Sequence, residues 1–409
     1  MGREDFSYGK IFLIGLGFFG ISVTWSVYNS FVPIFLKEFG LASAVVGFLM
    51  TLDNIFAVTL QPYVGFLSDR THTRLGRRRP YILAAAPVAA LSLSLIPLSG
   101  SLAVMLASII VMNIAMAVHR TPTISLMPDI TPSEYLSKAN GVINFMGGLG
   151  ALLAFFAGAL LYDVDRALPF MLAAALLLAS SLLIVVLVRE PEEAPSHGGG
   201  ETGALGDMFS TLKQVFSDPE PSTRGILLAI FSWFLAYGAI EAFFTSYGKW
   251  YLGIRESTAS MILGLFALSF ILFSIPSGFI ASKIGRKRSI LIGLAGLALL
   301  LALPLATRSL LLIASAMLLG GAMWALVNVN SLPIVVDLAP RSSIGGYTGL
   351  YYLFEMAALI LSPPLAGLLI DSAGYPSIFA WAVAWILVAA VFTASIKRER
   401  RVEADSREV

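Results

Sequence analysis

The chain has 409 residues, of which 57% are hydrophobic and only 13% charged, with mean hydropathy +0.83. A soluble domain carries about 25% charged residues, so these figures exclude a water-soluble globule, and they exclude a disordered chain as well. A net charge of +2 provides no basic surplus for nucleic acid, and the absence of Cys rules out disulfides, thiolate metal sites and cysteine nucleophiles.

A helix that crosses a bilayer needs roughly 20 apolar residues. The apolar runs predict an all-α polytopic membrane protein with twelve such helices. The first six cover 10–36, 44–68, 80–99, 102–128, 138–162 and 167–188. The last six cover 225–252, 257–282, 289–306, 309–337, 343–370 and 376–396. Met1–Lys10 carries Arg3, Glu4 and Asp5 and runs into the first span, so no cleavable leader is expected. Arg70, Arg74, Arg77, Arg78 and Arg79 follow span 2, Lys283, Arg286, Lys287 and Arg288 follow span 8, and Lys397, Arg398, Arg400 and Arg401 follow span 12. The opposite connections hold single cations such as Arg166 and Arg308, or the pair Lys249 and Arg255. The excess of positive charge places those three basic segments and both termini in the cytoplasm of a cell membrane.

Two six-helix bundles are expected, 1–188 and 224–396. A cytoplasmic linker at 189–223 joins them, with an amphipathic stretch around Leu205–Phe216, and a charged tail follows at 397–409. The halves repeat. Gly40/Gly253 and Gly65/Gly278 are 213 apart, Gly76/Gly285 and Arg77/Arg286 are 209 apart, and Asp129/Asp337, Pro132/Pro340, Gly141/Gly349 and Asp163/Asp371 are 208 apart. Parallel repeats of this kind place a substrate site near the bilayer midplane between the halves.

Residues 61–80 read QPYVGFLSDRTHTRLGRRRP. Gly65 is expected to pack closely against a neighbour, and Asp69, Arg70, Arg74, Gly76, Arg77, Arg78, Asp129 and Asp337 to form a cytoplasmic gate. The segment resembles the loop 2–3 signature of the major facilitator superfamily. Its fuller form, together with LMPDITPSEYLSKANGVINFMGG at 126–148, is similar to the sucrose/proton symporter branch (SUT- and SLC45-like), which is related to the glycoside–pentoside–hexuronide symporters. The resemblance implies the twelve-helix fold, a monomer, and a cavity lined by spans 1, 4, 7 and 10. Two departures bear on the coupling ion. Plant-type sucrose carriers have Arg and Asp five positions apart near the end of helix 4, whereas here Asp129 is preceded by Ile124, with Arg120 a turn earlier. Melibiose-type relatives use two acids in helix 2 for sodium, and here those positions are Ala57 and Gln61, with Asp53 one turn before. A proton is therefore preferred to sodium, with no other cofactor.

A charge at bilayer depth is costly and marks function. Spans 3, 6, 9 and 12 are essentially free of charge and suit a lipid-facing position. The candidates for proton coupling and charge pairing are Asp53, Arg120, Glu241 and Glu355, with Asp53 and Arg120 read as a pair. His119 is expected to serve mainly as a packing group, and Asp163 and Asp371 to cap or gate span ends. Trp25, Tyr28 and Asn29 share a face of span 1, Trp233, Tyr237 and Glu241 share one of span 7, and Trp324, Asn328 and Ser331 share one of span 10. Asn113 lies on the Arg120 face of span 4. Aromatic faces beside amide groups suit a neutral polyol, which stacks its apolar ring face and bonds through its hydroxyls.

The expected function is secondary transport of a disaccharide- or glycoside-like sugar by proton symport and alternating access. The alternatives are proton-coupled export of an amphipathic compound and a membrane sensor that does not transport. No P-loop, HExxH, GxSxG or cysteine site is present, so an enzyme is not expected.

Overall fold

The computed structural model describes residues 8–131, 135–188, 190, 212–213, 215, 222–340 and 343–397. Most of the 189–223 linker, with much of its amphipathic stretch, and residues 398–409 of the tail lie outside the described residues. Among the described residues, twelve long helices follow one another and no strand is present. They are α1 (Tyr8–Glu38), α2 (Ser43–Arg70), α3 (Arg79–Leu95), α4 (Leu102–Ile130), α5 (Lys138–Val164) and α6 (Leu168–Leu187) in the first half. The second half holds α7 (Ser222–Leu252), α8 (Glu256–Ile284), α9 (Arg286–Ala306), α10 (Leu310–Leu338), α11 (Ile344–Ala373) and α12 (Ser377–Ala394).

Eleven of the twelve are long and apolar enough to cross a membrane, and α3, at 17 residues, is shorter. The sequence predicts α3 to reach residue 99, but it stops at Leu95. Pro97 has no N–H to donate to Leu93, and Ile96 closes the helix with a tighter bond to that carbonyl, at 3.3 Å. Two helices widen by π turns, at Ala154–Gly158 in α5 and Gly248–Leu252 in α7. α2 pauses at Thr51, whose hydroxyl donates to the Phe48 carbonyl at 2.9 Å.

The repeat inferred from spacing recurs in the backbone. Gly40 and Gly253 both have positive φ (81° and 69°), as do Gly76 and Gly285 (103° and 91°). Each pair turns the chain at the same place in its half, in a region that side chains disfavour. Neighbour pairs repeat too: α3 packs on α4 and α6, and α9 packs on α10 and α12. Leu83, Leu91, Leu182, Val186, Leu299 and Val391 on α3, α6, α9 and α12 are exposed. An outer surface of this kind is stable against acyl chains and not against water.

The described chain forms two compact units. The first gathers the helices of the first half with the segments Glu241–Leu268 and Pro363–Tyr375, and the second gathers the remainder of α7–α12. In the first unit Ile14, Ile82, Leu126, Ile143, Ile184, Val185 and Val188 form a buried core between α1, α3, α4, α5 and α6. Stacked rings extend this packing along α1, with Phe31 and Tyr162 only 4.1 Å apart between centroids. The borrowed segments enter through close backbone contact. A Cβ on Gly47 of α2 would lie 2.2 Å from the Pro363 carbonyl oxygen of α11, and one on Gly367 of α11 would lie 2.3 Å from the Ser43 oxygen. In the second unit Phe231, Phe354, Trp381 and Trp385 build an aromatic wall, and Trp381 Nε1 donates to the Leu235 carbonyl at 2.9 Å.

The glycines of α5 differ sharply in what surrounds them. A Cβ on Gly150 would meet the Phe19 carbonyl oxygen at 2.5 Å, whereas one on Gly141 meets nothing within 4 Å. Gly150→Ala is therefore expected to destabilise the protein by about 1–3 kcal/mol through overpacking. Gly141→Ala is expected to be neutral or stabilising by about 0.5 kcal/mol. Thermal unfolding in detergent checks both, and equal melting temperatures for the two variants would refute the contrast.

Candidate functional site

The basic connection between α2 and α3 folds around acids. Arg78 is almost fully buried, and its guanidinium pairs with Asp69 and, through Nε at 3.1 Å, with Asp129 at the end of α4. Nη1 of Arg78 also donates to Ser68 Oγ and to the Gly65 carbonyl. Arg77 Nη2 reaches the same Asp129 oxygen at 3.2 Å. The backbone N–H groups of Arg77, Arg78 and Arg79 all point at the carboxylate of Glu190, at 2.6, 3.0 and 2.9 Å. A carboxylate at this position satisfies the donors that open α3 and meets the positive end of its dipole. Arg70 lies 3.7 Å over the Phe66 ring, and Arg74 is exposed.

Sequence reasoning placed Asp69, Arg77, Arg78 and Asp129 in one group, and the structure brings them together. It missed Glu190 and Ser68. Gly65 was expected for a close helix approach, but a Cβ there would meet only Thr121 Cγ2, at 3.5 Å, an ordinary contact. What Gly65 contributes to the cluster is its carbonyl. In the second half the repeat-related pair forms again: Arg286 bonds Asp337 and also donates to the Pro333 carbonyl at 3.1 Å.

A second cluster lies inside the first unit. Asn113 Nδ2 donates to the buried Tyr28 hydroxyl at 3.3 Å, and Trp25 meets the Tyr28 ring edge-on at 5.6 Å. Asp53 lies within electrostatic reach of both Arg120 and Tyr28. Asn29 Nδ2 approaches Glu241 Oε1 at 3.4 Å, joining α1 to α7. Trp25, Asn29, Asp53, Arg120 and Glu241 are all partly accessible. Two buried polar atoms around Tyr28 have no hydrogen-bond partner, the Trp25 Nε1 donor and the Asn113 Oδ1 acceptor. His119, by contrast, is fully buried. Its Nε2 lies 2.7 Å from Ser181 Oγ, whose own hydrogen goes to the Leu177 carbonyl. His119 therefore donates through Nε2 and ties α4 to α6.

The second unit has its own polar–aromatic face. Tyr237 stacks on Trp324 with centroids 5.0 Å apart and planes 9° apart, and Phe234 closes on Trp324 edge-on. Ser331 Oγ sits 3.0 Å from the Tyr351 hydroxyl and donates to the Asn328 carbonyl. Glu355, one turn beyond Tyr351, acts electrostatically on Tyr351 and Tyr352. Trp233, which shares a helical face with Tyr237 by spacing, is fully buried and offers no ring face to a ligand in this structure.

At the ends of the helices away from the basic connections, the first unit is tied by charge. Glu38 of α1 bonds Arg166 and Lys249, and Glu256 of α8 bonds the same two cations. Partial burial opposes the Arg166 charge, but the Glu38 hydrogen bond and the neighbouring acids hold its pKa above the usual arginine value. Asp163 pairs with Arg255 at 2.8 Å. Asp371 accepts from the Ser43 and Ala44 backbone N–H groups at 2.8 and 2.9 Å.

The sequence model described as Major Facilitator Superfamily matches residues 14–251 and 249–408. Among curated proteins, the general alpha-glucoside permease of Schizosaccharomyces pombe is 27% identical over 259 residues, covering 56% of this chain and 47% of the permease. Human solute carrier family 45 member 3 is 27% identical over 176 residues, 40% of this chain and 32% of that protein. The sucrose transport protein SUT1 of Oryza sativa is 31% identical over 96 residues, 24% of this chain and 18% of that one. The chain thus spans about half or less of the length of these relatives. Among solved structures, the nucleoside transporter NupG superposes with a TM-score of 0.76 at 17% identity, covering 96% of this chain and all of that one. A bacterial homologue of the human lysosomal transporter Spinster superposes with 0.73 at 13% identity, covering 97% of each chain. At such identities the likeness shows the fold alone, and the fold and relatives are those of transporters rather than enzymes.

The two repeat-related ion pairs differ in burial. The Arg77 and Asp129 side chains are 14% and 12% exposed, with Arg78 at 6% on the same acid, whereas Arg286 and Asp337 are 36% and 37% exposed. Asp129→Asn leaves two cations under-compensated in a dry setting and is expected to cost about 3–5 kcal/mol. Asp337→Asn, screened by solvent, is expected to cost about 1 kcal/mol or less. Thermal unfolding of both variants at one salt concentration measures the difference, and equal losses would refute the burial argument.

Proposed function

The chain belongs to the Major Facilitator Superfamily, and from that premise we propose that it is a secondary transporter of a disaccharide- or glycoside-like sugar, driven by proton symport. The observation that carries the substrate class is the pair of unpartnered polar atoms around Tyr28. Trp25 Nε1 is a donor and Asn113 Oδ1 an acceptor, both buried. Buried polar groups without partners are rare. A sugar hydroxyl is both donor and acceptor, so hydroxyl groups suit the two atoms, which a cation or an anion alone does not. Within the second unit, the stacked Tyr237 and Trp324 offer an aromatic surface of the kind that takes the apolar face of a pyranose. Relatives named for alpha-glucoside and sucrose transport agree with this class.

Coupling falls to the acids. In this reading Glu241 takes up a proton, and its link to Asn29 of α1 changes as it does so, since a protonated carboxyl accepts a hydrogen bond less strongly than a carboxylate. Tyr237 lies one helical turn before Glu241 on α7, so sugar stacking and proton uptake act on the same helix. Asp53 and Arg120 form the second charged element, with Arg120 permanently cationic and Asp53 able to gain a proton. Glu355 keeps a lesser place on α11. The positive-inside rule puts the α2–α3 and α8–α9 connections and both termini in the cytoplasm of a cell membrane, with the linker at 189–223 on the same side. Asp69, Arg70, Arg74, Gly76, Arg77, Arg78 and Asp129 in the first unit, and Asp337 with Arg286 in the second, then serve as cytoplasmic gate elements. Transport by a single chain is the working form.

Proteoliposomes with an imposed inward proton gradient are expected to accumulate labelled disaccharide. Glu241→Gln should abolish proton-driven accumulation while sparing exchange of sugar across the membrane. Trp324→Ala should weaken sugar binding about 3–10-fold, the worth of one aromatic contact, and Trp324→Phe should retain most of it. Gradient-driven accumulation at the parent rate by Glu241→Gln would remove that residue from the mechanism. Extrusion of amphipathic dyes with no sugar flux would replace symport by proton-coupled export, and sugar binding without any flux would indicate a sensor.

A further inference from the structure

Asp163 and Asp371 are repeat-related, 208 residues apart, and so are the helix starts they reach, since α2 begins at Ser43 and α8 at Glu256, 213 residues apart. Each acid ends a helix of one half and bonds the start of a helix of the other half. The two seams are built differently. At the α2–α11 seam both Asp371 oxygens accept backbone N–H groups, from Ser43 at 2.8 Å and Ala44 at 2.9 Å, at the positive end of the α2 dipole. Lys37 of α1 stands 3.7 Å from the same carboxylate and donates to Ser43 Oγ. Beneath it Gly47 and Gly367 let the two backbones touch, with no room for a Cβ at either. At the α5–α8 seam Asp163 holds only the Arg255 side chain, which is 73% exposed and free to exchange with water. Further along that seam Ser260 Oγ donates to Ser30 Oγ at 3.4 Å, a Cβ on Gly264 would lie 2.9 Å from Phe155 Cβ, and Glu256 at the start of α8 bonds Arg166 and Lys249.

We propose that Asp371 is the latch that holds this rim closed, and that Asp163 is its weak repeat counterpart. Fixed backbone donors lose no side-chain entropy on meeting the carboxylate, whereas Arg255 must be ordered from solvent each time. The proposal rests on the transport reading only for its place in a transport cycle.

The absence of Cys from the natural chain makes single-cysteine reporters clean. Val46→Cys on α2 and Ser260→Cys on α8 replace residues that are 1% and 0% exposed. The protein in liposomes is treated with a membrane-impermeant maleimide, and the labelling rate reports opening of the rim. Adding Asp371→Asn is expected to raise the rate at Val46→Cys about tenfold, the loss of two charge-assisted bonds less what the neutral amide recovers. Asp371→Glu should return it most of the way, and Asp163→Asn should raise the rate at Ser260→Cys no more than about twofold. Where Asp371→Asn does not fold, Gly47→Ala tests the same seam, because its Cβ forces the backbones apart and is expected to raise labelling likewise. Parent-like labelling in both Asp371→Asn and Gly47→Ala overturns the latch, and equal effects of the two Asp→Asn changes overturn the asymmetry. Fast labelling of Asp371→Asn in a protein whose parent moves no sugar leaves the latch standing and removes the sugar reading instead.

Discussion

A bilayer core offers no water to a charge or to a backbone amide, and that one constraint orders this molecule. It makes the backbone helical throughout the spans. It also forces charged side chains toward helix ends or into clusters. Twelve helices result, with leucine and valine outward on α3, α6, α9 and α12. The ion pairs gather at the two ends, around Asp129 and Asp337 at one and around Glu38, Asp163 and Asp371 at the other. Ionisable groups left at depth include Asp53, Arg120 and Glu241 in the first unit and Glu355 beside Tyr351 and Tyr352 in the second.

Most of the fold was legible because the same constraint writes itself into composition. Long apolar runs read directly as helices, and their predicted ends agree with the observed ones to within four residues. The largest error is in α3, where a missing N–H at Pro97 ended the helix before the apolar run did. The repeat was legible for a different reason. Glycines at positive φ and acids facing arginines are chemically specific, so Gly40/Gly253, Gly76/Gly285 and Arg77–Asp129/Arg286–Asp337 stand out at matching spacings among interchangeable apolar residues.

The candidate site was legible only in part, and the division follows from what helical spacing can say. Spacing tells which residues share a face, but not which neighbour that face meets. Trp25, Tyr28 and Asn29 share a face of α1 by spacing, and the residues that Tyr28 and Asn29 meet, Asn113 and Glu241, lie 85 and 212 residues away. Trp233 and Tyr237 share a face by count, yet one is wholly enclosed and the other half-buried. Glu190 read as one acid among several in a linker, since no local pattern connects it to three amides more than 110 residues earlier. Ser181 gave no sign in the sequence that it would hold His119.

The two ends of the helices use the same repeat to opposite effect. Near the basic connections, each acid bonds an arginine of its own half: Asp129 meets Arg77 and Arg78, and Asp337 meets Arg286. Those pairs brace each half internally. At the far end the repeat-related acids reach out of their own half. Asp163 goes from α5 to the start of α8, and Asp371 from α11 to the start of α2. Such bonds cannot survive separation of the helices they join. The repeated acids at the ends of the fourth and fifth helices of each half therefore make two kinds of bond, one within a half and one between halves. The fourth-helix acid lies beside its own basic loop and finds a partner at home, and the fifth-helix acid lies beside the other copy's second helix. Two pairs of repeated positions, Asp129/Asp337 and Asp163/Asp371, supply the two kinds of bond.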